Sequence, residues 1–391
     1  MSKLEELIKE FCPNGVEHVK LCDVADFRAG SSFPEREQGR KAGRYPFYKV
    51  VDMNKTQIYM EKANNYINEE TCTKLKCKPA PKGTIIFPKV GATMGTNKKR
   101  ILSIEACYDN NIMGLFAKNI DPKFLYYCFS KVDLLSLANG KGAVPSLDTE
   151  KMARIQIPLP ALPVQREIVR ILDSFTLYSA ELTAELTARR KQYEFYRDKL
   201  LNFDIEIEWK TIEEACNMSA GGDVPKDRFS REKTEQFYVP VYSNGVDENA
   251  LYGYTDKAKI FEPCITVAAR GTIGYCALRT EPFFPVVRLI CLCPKKEIIP
   301  KYLKYYIETI HFQVPTSGIP QLTVPMIGKY KIPVPPIDVQ ERIVKVLDNF
   351  DAICSDLGVG LPAEIEKRQK QYEYYRDKLL TFEEKNNNGE K

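Results

Sequence analysis

One long stretch of this chain occurs twice, and a duplicated segment of that length requires a duplicated fold. Residues 157–203, IPLPALPVQREIVRILDSFTLYSAELTAELTARRKQYEFYRDKLLNF, recur as residues 332–382, IPVPPIDVQERIVKVLDNFDAICSDLGVGLPAEIEKRQKQYEYYRDKLLTF, in register at an offset of 175. Toward the end the offset is 179, because the second copy holds four extra residues. Each copy opens on a proline cluster that blocks a helix before it and permits one after it, and Asp338 and Glu341 stand at capping-box spacing.

On a helix, Ile168, Leu172, Phe175, Leu182, Leu186, Tyr193, Tyr196, Leu200 and Phe203 fall on steps of three and four, with Ser179 and Arg189 as the polar exceptions. The second copy repeats the seam at Ile343, Leu347 and Phe350, and resumes it at Tyr372, Tyr375, Leu379 and Phe382. Its extra residues have the size of a coiled-coil stutter, but Gly358, Gly360 and Pro362 make a helix break an equal alternative. Two helices with one apolar stripe each are expected to pair antiparallel as a coiled coil about 60 Å long. The alternative is that each stripe buries into its own neighbouring domain.

The segments between the repeats are also related. PKGTIIFPKVGATMG (81–95) is echoed by FEPCITVAARGTIG (261–274), DPKFLYYCFS (121–130) by IPKYLKYYIE (299–308), and GAVPSL (142–147) by GIPQL (318–322). Val19-Lys20-Leu21 is echoed by Trp209-Lys210-Thr211. The chain therefore reads as unit 1–156, helix 157–203, unit 204–331, helix 332–384 and an unstructured tail 385–391. Strand-like runs at 45–51, 83–90 and 110–116 precede a helix opening at Pro122 and ending near Asn139-Gly140. The fold class is mixed α+β: two similar globular domains separated by two long helices, with a pseudo-twofold relation between the halves.

No run of 18 apolar residues exists to span a membrane, and the charged amphipathic start lacks the core of a secretory signal, so a cytoplasmic location is expected. The 12 cysteines are scattered, and with only His18 and His311 to assist them a zinc site is not expected; reduced thiols are. Residues 1–156 carry a net charge of +7 and residues 204–331 a net charge of 0. The excess is compatible with a polyanion but equally with a solvated surface.

A search for chemistry finds none. The glycine turns lack the lysine and hydroxyl of a phosphate loop, and no fingerprint for a methyl-donor cofactor is present. Glu208-Trp209-Lys210 has the ExK form of a nuclease half-motif, but its nearest acid pair, Asp204 and Glu206, is too close in sequence. A binding role without catalytic or metal residues follows. In both units cations flank a tight turn at a strand end, where a loop can enter a groove of duplex DNA. The candidate DNA-contacting residues are Lys89, Thr93, Asn97, Lys98, Lys99, Arg100 and Arg44 in the first unit, with Ser243, Asn244, Arg270 and Thr272 in the second. Arg36, Arg40 and Lys41 are weaker candidates. The glycines could equally do no more than close a hairpin.

IPLPALPVQ and IPVPPIDVQ, followed by RRKQYEFYRDKLL and KRQKQYEYYRDKLL, resemble the conserved regions of the specificity (S) subunit of type I restriction-modification enzymes. ARGTIG and GIPQLT resemble strings of its target recognition domains, and the resemblance covers nearly the whole chain. It implies that each domain reads half of a bipartite DNA target while the helices set the unread spacer. It also implies two methyltransferase (M) subunits bringing S-adenosylmethionine, and a further set of two restriction (R) subunits using ATP and Mg, with no cofactor in this chain. The family's tetrapeptide repeat is matched by residues 179–182, SAEL, and 183–186, TAEL. A competing reading is a coiled-coil protein-interaction scaffold without DNA specificity.

Overall fold

The computed structural model describes residues 2–55, 58–139, 144–203, 207–314, 319–355 and 360–385. It divides into two units that cut across chain order: Met1–Glu181 with Glu366–Lys391, and Leu182–Ile365. Five helices carry the repeats and join them to the domains: α1 (Pro122–Ser130), α2 (Leu162–Leu201), α3 (Pro300–Ile307), α4 (Ile337–Ser355) and α5 (Leu361–Leu379). Each unit takes one half of α2 and one part of the second repeat.

In the first unit a five-stranded sheet runs in the order Ala25–Ala29, Ile112–Ala117, Ile85–Pro88, Arg100–Leu102, Tyr59–Met60. A three-stranded sheet (Asn65–Ile67, Tyr45–Tyr48, Cys107–Tyr108) stands beside it. In the second unit Cys216–Ala220, Leu289–Pro294, Cys264–Ala268 and Cys276–Arg279 form one sheet. Phe229–Ser230, Leu251–Thr255, Val239–Tyr242 and Phe284–Pro285 form the other. IIFP and CITVA, apolar but for Thr266, lack polar alternation because they are internal strands buried on both faces.

A short antiparallel ribbon closes each domain: His18–Lys20 on Gln156–Pro158, and Trp209–Thr211 on Lys331–Pro333. The pairs Val19 with Ile157 and Lys210 with Ile332 make Lys210 the counterpart of Val19, which moves the echo read from sequence by one residue. Glu208-Trp209-Lys210 is thereby accounted for. Lys210 Nζ binds Glu297 at 2.7 Å and lies 3.5 Å from Glu208, inside a closing ribbon.

The helical stripes do both things between which the sequence left a choice. The N-terminal half of each repeat buries in its own domain: Val164, Ile168 and Leu172 join Ile85, Phe124 and Tyr127, while Ile343 and Leu347 join Ile265, Tyr302 and Tyr305. The C-terminal half docks beside the other repeat's start: Tyr372, Leu379 and Phe382 pack on the first core, and Tyr193, Leu200 and Phe203 on the second. Leu182 is buried and Leu186 half-buried.

Within the first unit Phe175 of α2 stacks on Tyr375 of α5, with ring centroids 5.4 Å apart at 24°. Three residues on in α2, Tyr178 lies under Arg368, seven residues earlier in α5, so the helices run antiparallel. The second unit repeats the stack with Phe350 of α4 on Tyr196 of α2, at 5.5 Å and 25°.

Two details differ from the sequence reading. The helix opening at Pro122 ends at Ser130, because the residues after it turn back: Asn97 Oδ1 accepts from Leu134 N at 3.0 Å and Asp133 Oδ1 from Leu135 N at 3.1 Å. At the start of α4 no capping box forms. Pro336 O accepts from Val339 and Gln340, and Asp338, inside the first turn, pairs with Arg342 at 2.6 Å. Helix assignment stops at Ser355 and resumes at Leu361; the break considered at Gly358 lies outside the described residues. Pro362 sits in the first turn of α5, where its missing N–H has no intrahelical partner to lose. Among the described residues no helix is long and apolar enough to cross a membrane.

Candidate nucleic-acid interface

A recognition loop is only as well aimed as the domain that carries it, and both domains are fixed to their helices by the same device. Asp173 of α2 accepts from Lys123 Nζ at 2.5 Å and Tyr127 Oη at 2.7 Å, both on α1. Asp348 of α4 accepts from Tyr305 at 2.6 Å and pairs with Lys301 at 2.8 Å, both on α3. Burial is the largest single influence on Lys123 and works against its ammonium, but Asp173 and Tyr59 together outweigh it and leave its pKa above the usual lysine value. Burial, then the bonded carboxylate, push both tyrosine pKa values up, so the hydroxyls stay donors.

A buried carboxamide completes each lock. Gln165 Nε2 donates to Pro160 O at 2.7 Å while its Oε1 accepts from Asp121 N at 2.8 Å. Gln340 Nε2 donates to Pro335 O at 2.8 Å and Glu297 O at 2.9 Å, and its Oε1 accepts from Ile299 N at 2.8 Å. These residues were missed in the sequence, although PVQ and DVQ sit at the repeat offset of 175.

The turns after the central strands share a frame as well. Leu147 N donates to Lys89 O at 2.9 Å and Leu322 N to Ala269 O at 2.8 Å. Two residues further, Gly91 and Gly271 take φ of +75° and +76°, a region that disfavours any side chain. Residues 142, 143 and 318 of the GAVPSL and GIPQL strings lie outside the described residues. Val90 therefore occupies the place of Arg270, and what the two turns present is different.

In the second unit the structure gathers the candidates. Asn244 Nδ2 donates to Arg270 O at 2.6 Å, and Thr272 Oγ1 donates to Asn244 O at 2.9 Å, so the two loops are tied crosswise. Ser243 is held by its amide on Ala250 O at 2.8 Å. Tyr275 Oη donates to Asp247 Oδ1 at 2.9 Å and accepts from Asp247 N at 3.0 Å, bracing the same loop. The Arg270 Nε is buried without a hydrogen-bond partner among the described residues. Arg279 shares that condition, with its guanidinium 3.8 Å from the Tyr242 ring centroid; nothing in its spacing marked it in the sequence.

In the first unit the cations after the turn are used internally. Lys99 is buried, its Nζ bonded to Asn97 Oδ1 at 2.8 Å and to Val132 O, and burial pushes its pKa down to about 8. Lys98 binds Asn54 Oδ1 at 2.6 Å, and Arg100 folds its Nη1 onto Lys99 O at 2.8 Å while its Nε, like that of Arg270, is buried without a partner among the described residues. Thr93 closes the turn on Val90 O at 2.8 Å, and Asn97, at φ +51°, serves as its hinge. Lys89 is half-buried beside that turn. Arg44 stands elsewhere, exposed over the Tyr45 ring and 3.9 Å from Glu69. Lys41 binds Asn64 O at 3.3 Å and Arg36 lies 3.9 Å from Glu37. Asp204 and Glu206 lie outside the described residues.

The helices carry a further repeated feature. Phe195 and Tyr374 occupy matching positions, remain 62% and 61% exposed, and each meets the next tyrosine edge-on, at 5.4 Å and 5.3 Å.

A duplicated domain with a duplicated lock and unlike loops is the build of a protein with two related binding sites. The chain belongs to the type I restriction-modification DNA specificity family, whose domain model matches residues 13–189 and 205–367. A type I specificity subunit of Mycoplasma pneumoniae is 39% identical over 287 residues, covering 69% of this chain and 85% of that protein. The EcoR124I/EcoR124II specificity subunit of Escherichia coli is 35% identical over 308 residues, covering 71% and 73%. The fold matches the crystal structure of a type I S subunit from M. genitalium with a TM-score of 0.53, 17% identity and coverage of 93% and 94%. It also matches a chain from a type I R-M system, with a TM-score of 0.63, 15% identity and coverage of 94% and 98%.

Proposed function

We propose that this specificity subunit acts without catalysis of its own, in the cytoplasm, as the DNA-reading part of an adenine methyltransferase and restriction complex. Each domain reads one half of a bipartite duplex target, and the helices set the unread spacer and dock two M subunits. S-adenosylmethionine then enters with the M subunits, and ATP and Mg with two R subunits. The observation that carries this reading is the shared frame with unlike contents. The same glycine turn, held by the same leucine amide, presents Lys89-Val90 in one domain and Ala269-Arg270 in the other, as two different half-sites require.

Arg270 is the base-reading candidate of its domain. Its backbone carbonyl accepts from Asn244, which fixes the chain at that point, and its Nε has no partner among the described residues. Methylome sequencing of cells that carry Arg270→Ala with the M subunit tests the reading. Relaxed sequence at one position of one half-site, at a cost of about 1–3 kcal/mol, is expected. Uniform weakening on every sequence would assign Arg270 to phosphate, and an unchanged methylome would remove the loop from recognition. The outward pair Phe195 and Tyr374, one on each repeat, suits a partner present in two copies. A scaffold without DNA specificity would leave the methylome indifferent to every loop substitution.

A further inference from the structure

The structure holds two clusters of three cysteines, and they differ in one respect. In the second unit Cys264, Cys291 and Cys293 pack with Phe283 in a sealed core. In the first unit Cys72 and Cys107 are buried with Phe33 and Phe47, but Cys77 is half-buried and lines a cavity of about 190 Å³. Cys107, Arg28, Ser31, Lys76 and Lys78 line it too.

The backbone that presents Cys77 is firmly set. Helix Glu69–Lys74 ends in a reversal at Lys76, whose φ is +52°, and Cys77 N returns to Cys72 O at 2.9 Å. Arg28 reaches across to Lys78 O at 3.0 Å and Pro79 O at 3.1 Å, which brings a guanidinium to the same cavity. Cys107 lines the same cavity and belongs to the same cluster, and its thiol is the chief influence that holds the Cys77 pKa down to about 7 against the opposing effect of burial. The neighbouring Cys77, followed by burial, pushes Cys107 up, so Cys107 keeps the proton. Among the described residues no group of three or more His, Cys, Asp or Glu side chains is placed to hold a metal ion.

We propose that Cys77 is a reactive thiol of the first domain, open to electrophiles through this cavity, and that its oxidation by a hydroperoxide ends in a disulfide with Cys107. The Cys77 thiolate attacks the terminal peroxide oxygen, the O–O bond breaks, and the alkoxide leaves as an alcohol after taking a proton, giving a sulfenic acid. The Cys107 sulfur then attacks the Cys77 sulfur, the S–O bond breaks, and the departing hydroxide takes the Cys107 proton to leave as water. Two thiols and one hydroperoxide give one disulfide, one alcohol and one water. The product ties strand Cys107–Tyr108 to the segment after Lys76, on the edge of the sheet that holds Tyr45–Tyr48.

Peptide mapping of the reduced full-length chain tests this. With limiting N-ethylmaleimide at pH 7, Cys77 should be alkylated about fivefold faster than the exposed Cys22, the gain in thiolate outweighing the loss in intrinsic nucleophilicity. With hydrogen peroxide, a Cys77–Cys107 cross-linked peptide should appear, and Cys72→Ser should leave it intact. In Cys107→Ser the cross-link should vanish and dimedone should trap the Cys77 sulfenic acid. Cys22 labelling first, a cross-link to Cys72, or no cross-link in the unsubstituted chain would each overturn the proposal.

Discussion

Replacing Gln165 by leucine probes the lock between the first domain and its helix. The carboxamide is 1% exposed and engages two backbone groups, Pro160 O and Asp121 N. Leucine has nearly the same volume, so packing changes little, but one carbonyl and one amide lose their partner in a buried setting. At 1–3 kcal/mol for each orphaned group, offset in part by added apolar burial, the loss is about 2–5 kcal/mol. Because Asp121 N–H stands at the head of α1, the loss should appear there first. Hydrogen exchange read by mass spectrometry on the whole chain resolves it. Protection over α1 should fall at least about 30-fold, at tenfold per 1.4 kcal/mol, while α3 keeps its protection. Gln340→Leu should invert the pattern, with the larger effect because three backbone contacts are lost. A change under about threefold in α1, or an equal change in both helices, would refute the lock.

Inserting one further TAEL unit after Leu186 lengthens α2 by about 6 Å against 3.4 Å per base pair. Methylome sequencing should show an unread spacer longer by one or two base pairs with both half-sites unchanged; an unaltered spacer refutes a ruler role. Phe195→Ser or Tyr374→Ser should each weaken docking of one M subunit by about 1–3 kcal/mol, and the double variant should lose both, as native mass spectrometry of the complex would show. Intact binding in the double variant would free that surface of any docking role. Lys99, its pKa lowered by burial to about 8 from its usual 10.5, destabilises the folded first unit while it is charged. Below about pH 8 both folded and unfolded forms carry the proton and the penalty is complete. Between pH 8 and 10.5 the unfolded form binds more protons, so stability should rise with pH. Exchange protection in strand Arg100–Leu102 measured at pH 7.5 and 9.5, against Lys99→Met, checks that sign.

The order of domains and helices was legible because it rests on repeated apolar spacing, which packing preserves. Ile168 with Ile343 and Phe175 with Phe350 keep their offset of 175 because each meets the same kind of neighbour in its own unit. The role of Asp173 and Asp348 was hidden for a different reason. A carboxylate on a long charged helix looks solvated until the lysine and tyrosine of another helix are brought to it, and that pairing joins residues 46 apart in one unit and 43 in the other. The fate of the cations in the candidate loops was not legible either. Lys98, Lys99 and Arg100 read as a basic cluster beside a turn, and their chain neighbours give no sign that Asn54, Val132 and the backbone will take their charged groups. Arg270 stands beside the other turn with its carbonyl taken by Asn244 and its Nε, like that of Arg100, buried without a partner among the described residues. The two turns bear on how two halves of one chain come to read different DNA. The elements that hold a turn in place, a leucine amide and a left-handed glycine, are short-range and recur; the residues that decide what the turn offers depend on partners far away in sequence. On the proposed reading, a duplicated chain alters one half-site by changing which cations its loops consume internally, with the glycine turn and the helical lock left as they are.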